Sequence, residues 1–154
     1  MRRRDREITD ENAIAEFIAK EQILRIAFYD KGDIYIVPVN YGYSYDEPYS
    51  FYFHGAKAGR KYELAKKKPT VGFEIDGNYM LIGSEVACGF SATFQSVIGT
   101  GTLSLVEDNA EKINGLNAIM KQTTSKAEWN YSDEMLDAVV VFKLVVDKLS
   151  CKAK

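Results

Sequence analysis

The stretch at residues 23–43, ILRIAFYDKGDIYIVPVNYGY, strongly constrains the fold. Two alternating apolar runs flank Asp30-Lys31-Gly32-Asp33, and turn residues between two such runs predict a β-hairpin. Pro38 cannot donate a hydrogen bond to a sheet, so the second strand is expected at an edge or a bulge. A lone hairpin is marginally stable, and the rest of the chain therefore has to supply further strands.

Later segments have the same strand character. They are YSFYFH, VGFEI, TFQSVIGTGTLSLV and, near the end of the chain, AVVVFKLVVDKL. Gly99 and Gly101 fall inside the long TFQSVIGTGTLSLV segment and predict a bulge or a sharp bend. Several strands joined by tight turns predict a mostly β (α+β) fold, namely a small antiparallel barrel with a few flanking helices.

The helices are predicted from their termini. They cover residues 10–21, Arg60 to Lys68, a segment after Asp108 and a short segment after Ser132. Asp10 is suited to cap the first helix, and Asp108 with Glu111 has the spacing of a capping box. Pro69 disfavours helical backbone at the residue before it, so the second helix is expected to stop there.

Composition limits the function classes. The net charge of −2 argues against a nucleic-acid or membrane-surface role, and no apolar run is long enough to span a bilayer. The charged opening MRRRDREITDE has no apolar stretch after it and does not resemble a secretory signal. Cys88 and Cys151 fit no metal-binding spacing, which indicates a reducing, cytoplasmic compartment. Without repeats or linkers, residues 1–154 are expected to form one domain.

The turn FYFHGAKAGRK, residues 51–61, carries the clearest chemical pattern and the only histidine in the chain, His54. Glycines free the backbone to present amide groups to an anion. The basic residues Lys57, Arg60 and Lys61 would complete a phosphate or carboxylate cradle. The same residues also fit a solvated helix face with a core histidine, and the pattern alone leaves both interpretations open.

Two weaker patterns accompany this turn. In TFQSVIG, Gln95 and Ser96 can each hydrogen-bond an anion or a ring heteroatom, although alternation places them on opposite faces of a strand. Taken by themselves, they fit a half-exposed polar strand better than a binding site. In VPVNYG, Pro38 leaves backbone groups unpaired that are suited to the polar edge of a planar ring, and an edge strand explains these too.

The segments MRRRDREI, IYIVPVNYGY, FYFHGAKAGRK, VGFEID and TFQSVIGTGTL occur in this order. Together they resemble the pyridoxamine 5′-phosphate oxidase-like, FMN-binding split-barrel proteins, and most of all the branch of the nitroimidazole-resistance (Nim) proteins. The resemblance covers nearly the whole chain. It implies a split β-barrel and a homodimer with FMN in the groove between the two subunits.

The resemblance also implies site residues. Those matched to the cofactor are Val37, Pro38, Val39, Asn40, His54, Lys57, Arg60, Lys61, Gln95, Ser96 and Trp129. The turn would receive the FMN phosphate, the VPVN segment would follow the isoalloxazine edge, and the Gln-Ser pair would complete the phosphate side. Trp129 would approach the flavin of the partner subunit, although a lone Trp is more often a core residue. Gln95 stands where many relatives have Arg, and the KLSCKAK end lacks their Gly-Lys pair.

The implied activity is an FMN-dependent oxidoreductase that reduces nitro-aromatic compounds such as 5-nitroimidazoles. His54 would deliver protons or contact the substrate, because imidazole exchanges protons near neutral pH; a structural histidine fits as well. The alternative is a non-catalytic protein that stores or senses flavin or haem, with His54 as an axial haem ligand. A barrel that binds no cofactor and only forms an interaction dimer is a third interpretation.

Overall fold

The computed structural model describes residues 3–46 and 48–154. Its strands are β1 (Glu7–Ile8), β2 (Leu24–Asp30), β3 (Asp33–Val39), β4 (Gly42–Ser44), β5 (Ser50–Gly55), β6 (Thr70–Ile82), β7 (Ser91–Leu105) and β8 (Val140–Ala153). Its α-helices are α1 (Glu11–Lys20), α2 (Arg60–Ala65), α3 (Asn109–Thr124) and α4 (Asp133–Ala138). The first two residues of the MRRRDREI segment lie outside the described residues.

The strands described here form one antiparallel sheet in the order β3-β2-β6-β7-β8-β5-β4, and β1 adds to β8. The path ends at β3 on one side and at β4 on the other, so the sheet curls without closing. This confirms the prediction of a mostly β fold built on a small antiparallel split barrel. The last strand, β8, hydrogen-bonds three others: β1, β5 and β7.

The β2–β3 turn and the bulge in β7 form where the sequence predicts them. Lys31 and Gly32 both have positive φ, of 54° and 94°, and form a two-residue loop that pairs Asp30 with Asp33. Positive φ at both central residues is the geometry that matches the twist of a hairpin. Pro38 lies on β3, an edge strand, and the register of β7 against β8 shifts between Thr100 and Gly101. The predicted edge and the predicted bulge are therefore confirmed.

Side-chain caps also fix three helix starts, as predicted. Asp10 accepts hydrogen bonds from the amides of Asn12 and Ala13, at 2.9 and 3.2 Å. Asp108 accepts from the amide of Glu111 at 2.8 Å, and the Ser132 hydroxyl accepts from an amide of α4. These caps satisfy amides that have no partner inside the helix.

Three predicted boundaries were wrong. The second strand of the first hairpin ends at Val39 instead of continuing through Tyr43, because Gly42–Ser44 form a separate strand that pairs with β5. The second helix ends at Ala65 instead of Lys68, because Lys68 before the proline adopts a φ of 48°. The fourth strand continues through residue 82 instead of ending near Ile75, because its second half pairs with the start of β7 from Gln95 to Ser91. The long β6–β7 hairpin that results was not visible as an alternating pattern.

The core has two parts. The larger fills the barrel and contains buried aromatic residues from four strands: Phe28, Phe51, Phe53, Phe73 and Phe142. The smaller lies between the sheet and α3, around Tyr52, Val141 and Ile119. Strand β5 is therefore covered on both faces. No helix among the residues described is both long enough and apolar enough to cross a membrane.

Candidate functional site

The basic turn joins β5 to α2. Strand β5 ends at Gly55, and Gly59 precedes the helix with a φ of 96°, a conformation that side chains with a Cβ rarely adopt. The chain thus turns sharply between His54 and Arg60. Lys57 lies in the middle of this turn and is exposed.

Lys61 points back from α2 onto the barrel. Its Nζ lies 5.2 Å from the ring centre of Phe53 and 5.0 Å from that of Phe142, and the two rings stack 4.9 Å apart. Burial lowers the pKa of the Lys61 ammonium. A Cβ at Gly55 would come within 3.3 Å of this nitrogen, so the glycine leaves space beside it. Within the described ranges no carboxylate pairs with Lys61.

Arg60 is bound to the β2–β3 hairpin. Its Nε donates to Asp30 at 3.1 Å and its Nη2 donates to Asp33 at 2.9 Å. The guanidinium carbon lies 4.8 Å from the ring centre of Tyr35. The hydrogen bond from Arg60 lowers the pKa of Asp33. Arg60 therefore ties the turn to the edge hairpin, and its charge already has partners.

The Val37–Asn40 segment lies at the end of that same edge hairpin. Val37 and Val39 are half-buried and pack against the barrel core, whereas Pro38 is exposed and pairs with Arg25 of β2. The Asn40 amide donates to the Gln22 carbonyl at 3.1 Å. Arg60 contacts Asp33 at the start of β3, whereas Val37–Asn40 lies four to seven residues farther along, about 13–23 Å of extended strand. Arg60 therefore links the basic turn to the opposite end of this hairpin.

His54 is exposed at the end of β5. Strand alternation places its side chain on the face of Tyr52, toward α3, whereas Lys61 covers the face of Phe53 and Gly55. Among the described residues, the ring has no hydrogen-bond partner. It is therefore accessible, but it does not share a face of β5 with Lys61.

Gln95 and Ser96 lie elsewhere in the chain. Gln95 accepts a hydrogen bond from Asn78 at 3.0 Å, its Nε2 lies 3.8 Å from the Cys151 sulfur, and it lines a cavity of about 370 Å³ beside α1. Burial raises the pKa of that thiol. Phe53 pairs with Phe142, and Phe142 pairs with Leu105, nine residues along β7 from Ser96. Nine residues of strand span about 30 Å. Within one chain, Gln95 and Ser96 therefore lie far from the Phe53–Phe142 rings under Lys61.

Trp129 lies in the connection between α3 and α4. Its indole nitrogen donates to the Lys126 carbonyl at 3.2 Å, and the Lys126 ammonium lies 4.2 Å from the ring centre. Its amide donates to Asn117 at 3.2 Å. The ring is partly exposed and is not part of either core cluster.

The partners of Arg60 and Lys61 were not predicted from the sequence. Asp30 and Asp33 were identified only as turn residues, although two carboxylates flanking a two-residue loop emerge close together. The Phe53–Phe142 platform under Lys61 depends on the register of β5 against β8, which has no local signal. Among the described residues, no three His, Cys, Asp or Glu side chains cluster in a way that could hold a metal ion.

Comparison with known proteins places this geometry in a family. The model of the pyridoxamine 5′-phosphate oxidase family matches residues 10–153. The chain belongs to this family. The resemblance seen in the sequence motifs is thereby confirmed. A comparison with curated protein sequences gave no match.

Solved structures of other proteins share this fold. A candidate 5-nitroimidazole antibiotic resistance protein from Bacteroides thetaiotaomicron is 28% identical, with a TM-score of 0.81 over 96% of this chain and 86% of that one. An FAD- and haem-binding protein from Mycobacterium smegmatis has 16% identity and a TM-score of 0.81, over 96% and 72% of the two chains. A flavocytochrome from Azotobacter vinelandii has 18% identity and the same score, over 100% and 72%.

Proposed function

We propose that this member of the pyridoxamine 5′-phosphate oxidase family binds FMN as a homodimer and reduces nitro-aromatic compounds such as 5-nitroimidazoles. The observation that carries the proposal is the half-buried ammonium of Lys61, which has no carboxylate partner among the described residues and lies beside a glycine turn of the family pattern. The 28% identity to the Bacteroides protein supports the choice of substrate class. The proposal treats residues 1–154 as one FMN-binding domain. It assigns the protein to the cytoplasm because both cysteines are free.

The residues of the turn fit a phosphate group. Lys61 offers a charge without a carboxylate partner in the described chain, Gly55 leaves room next to it, and Lys57 adds a second, mobile charge. Arg60 fits less well, because a phosphate would compete with Asp30 and Asp33 for its guanidinium. In this proposal Lys61 is therefore the main phosphate contact, and Arg60 mainly positions the turn.

A second copy of the chain would bring the separated parts of the site together. The outer face of β2 and β3 exposes Tyr29, Ile34 and Ile36, at 72%, 60% and 59%, and the strand register places all three on one side. Ile98 of β7 extends the same face, because Glu74 lies opposite both Ile98 and Arg25. An exposed apolar patch of this kind is typical of a protein interface. It supports a homodimer in which Gln95, Ser96 and Trp129 of one subunit complete the site of the other.

Reduction of a nitro group to an amine consumes six electrons and six protons and releases two water molecules. Bound FMN would supply the electrons two at a time, replenished by an external two-electron donor such as a reduced pyridine nucleotide. In this chain, the accessible ring of His54 would deliver protons to the nitro oxygens. The exposed edge of β3 around Pro38 would present backbone groups to the isoalloxazine ring.

A comparison of FMN with riboflavin, which lacks the phosphate, tests the phosphate assignment. Lys61→Met should weaken FMN binding about 10- to 150-fold, the equivalent of one charge-assisted hydrogen bond of roughly 1.5–3 kcal/mol. Riboflavin affinity should change little. Lys67→Met, an exposed lysine just beyond the same helix, is the matched control and should leave both affinities unchanged.

Flavin fluorescence quenching measures these affinities. The double variant Arg60→Ala/Lys61→Ala should lose at least as much FMN affinity as Lys61→Met alone. Equal losses for FMN and riboflavin, or no loss in the double variant, would refute the cradle. Anaerobic mixing of the holoprotein with a 5-nitroimidazole and an excess of a two-electron donor, such as a reduced pyridine nucleotide, then tests the activity, and His54→Gln should slow amine formation without a loss of bound FMN.

Haem or flavin storage is the second candidate function. One protein of the same fold, from Mycobacterium smegmatis, binds FAD and haem, and another, from Azotobacter vinelandii, is a flavocytochrome. His54 is an accessible imidazole that could ligate haem iron. The absorption spectrum of the purified protein separates the candidates. A flavin spectrum supports the oxidoreductase, whereas a Soret band that His54→Ala abolishes supports haem binding.

A further inference from the structure

A cavity of about 510 Å³ lies between α1, the segment around β4 and the end of β8. This volume is within the range of about 300–1,000 Å³ that is typical of small-molecule sites. Its described lining includes three tyrosines, Tyr43, Tyr45 and Tyr49, and two glutamates, Glu7 and Glu11. No residue of the proposed FMN site is among its described lining residues, so the proposed FMN site does not account for it.

The three rings form one aromatic wall. Tyr43 lies at its centre, with its ring centre 4.5 Å from that of Tyr45 and 6.2 Å from that of Tyr49. The Tyr45 hydroxyl donates to the Ala15 carbonyl at 2.9 Å, and the Tyr49 hydroxyl donates to Glu11 at 3.4 Å. These bonds to α1 hold the outer rings in place, so the wall is preformed.

The described lining of the cavity carries charge of one sign. None of its described lining residues is Lys, Arg or His, and neither glutamate forms an ion pair within the described chain. Lys152 is the cross-strand neighbour of Glu7, but its ammonium lies 5.6 Å from the Phe94 ring centre instead. Burial, helped by the nearby Glu11 charge, raises the pKa of Tyr43, so this phenol stays neutral.

Carboxylates beside aromatic faces attract organic cations and repel anions. We infer that this cavity binds small organic ammonium ions that carry an apolar body. The ammonium group lies between Glu11 and the face of Tyr43, and the apolar body packs on Ile14 and Leu149 of the lining. The acidic lining excludes the flavin phosphate, which makes this site independent of the proposed FMN site.

Three probes of similar size and different charge test the inference on the full chain. Benzylammonium, benzyl alcohol and benzoate are titrated at low salt, near neutral pH, by calorimetry or saturation-transfer NMR. Benzylammonium should bind at least about tenfold more tightly than benzyl alcohol, and benzoate should not bind. Saturating FMN should leave the benzylammonium affinity unchanged. Equal binding of the three probes, or no binding of benzylammonium, would overturn the inference.

Matched variants locate the binding. Glu11→Gln keeps an acceptor for the Tyr49 hydroxyl but removes the charge, and should weaken benzylammonium binding at least about fivefold without affecting benzyl alcohol. Glu16→Gln, on the same helix but outside this cavity, is the control and should bind like the unmodified protein. Tyr43→Phe keeps the ring and should keep the affinity. An equal loss in Glu11→Gln and Glu16→Gln would show a general charge effect and refute the assigned site.

Discussion

Gly42→Ala should disrupt the contact between β4 and α3. A Cβ at Gly42 would come within 2.2 Å of the Ala118 carbonyl carbon and 2.3 Å of the Ile119 nitrogen. Ordinary contact begins at 3.4 Å, so the helix or the strand has to move by about 1.2 Å. Both atoms belong to the backbone of α3, and no side-chain rotation can relieve the clash.

The cost follows from this geometry. Overpacking in a core typically costs about 1–3 kcal/mol, and a clash with a helix backbone should lie at or above about 3 kcal/mol. For a chain of 154 residues, this loss corresponds to a melting temperature about 6–12 °C lower. Urea unfolding of the apoprotein at one fixed protein concentration measures the change directly.

Gly83→Ala is the matched control. Nothing lies within 4 Å of a Cβ there, and the position has no positive φ, so the free energy of unfolding should change by less than about 0.5 kcal/mol. If Gly42→Ala unfolds at the same urea concentration as Gly83→Ala and the unmodified protein, α3 does not pack on β4 as described.

Two further predictions concern stability. Lys61→Met should raise the free energy of unfolding of the apoprotein near neutral pH, because it removes a charge whose burial lowers its pKa. In the unmodified protein, Lys61 binds its proton more tightly in the unfolded chain than in the folded one. The stability advantage of the variant should therefore shrink as the pH rises toward 10.5, the ordinary lysine pKa. Urea midpoints of both proteins near neutral pH and near pH 10.5 measure this change. Tyr41→Phe removes a buried hydroxyl that donates to the Ile18 carbonyl at 2.6 Å, and thermal unfolding should show a loss of about 0.5–1.5 kcal/mol. The loss stays moderate because Gln122 also donates to that carbonyl, at 2.7 Å.

Features set by neighbours in the sequence were predictable. The β2–β3 hairpin, the Asp10 and Asp108 caps and the bulge beside Gly101 each depend on a few adjacent residues whose backbone preferences are strong. The family was likewise identified from short segments of adjacent residues. The fold class followed from the number and spacing of these local signals.

Features set by long-range register were not predictable. The platform under Lys61 requires Phe53 to lie opposite Phe142, and these residues are far apart in the sequence. The pairing of Arg60 with Asp30 and Asp33 requires the hairpin turn to reach α2. Because period-2 alternation moves a side chain to the other face with each one-residue shift, such contacts depend on the whole sheet.

The pairing of β8 with three strands has a consequence for how the protein is made. Residues 140–153 are synthesised after β1, β5 and β7, yet all three strands hydrogen-bond to them. The nascent chain therefore leaves the ribosome with the apolar residues of β5 uncovered, and exposed strand edges of this kind are prone to aggregation. A chain that stops before Val140 cannot assemble the barrel. Chains terminated before Val140 should therefore be bound by chaperones or degraded by proteases, and few should persist in a partly folded form.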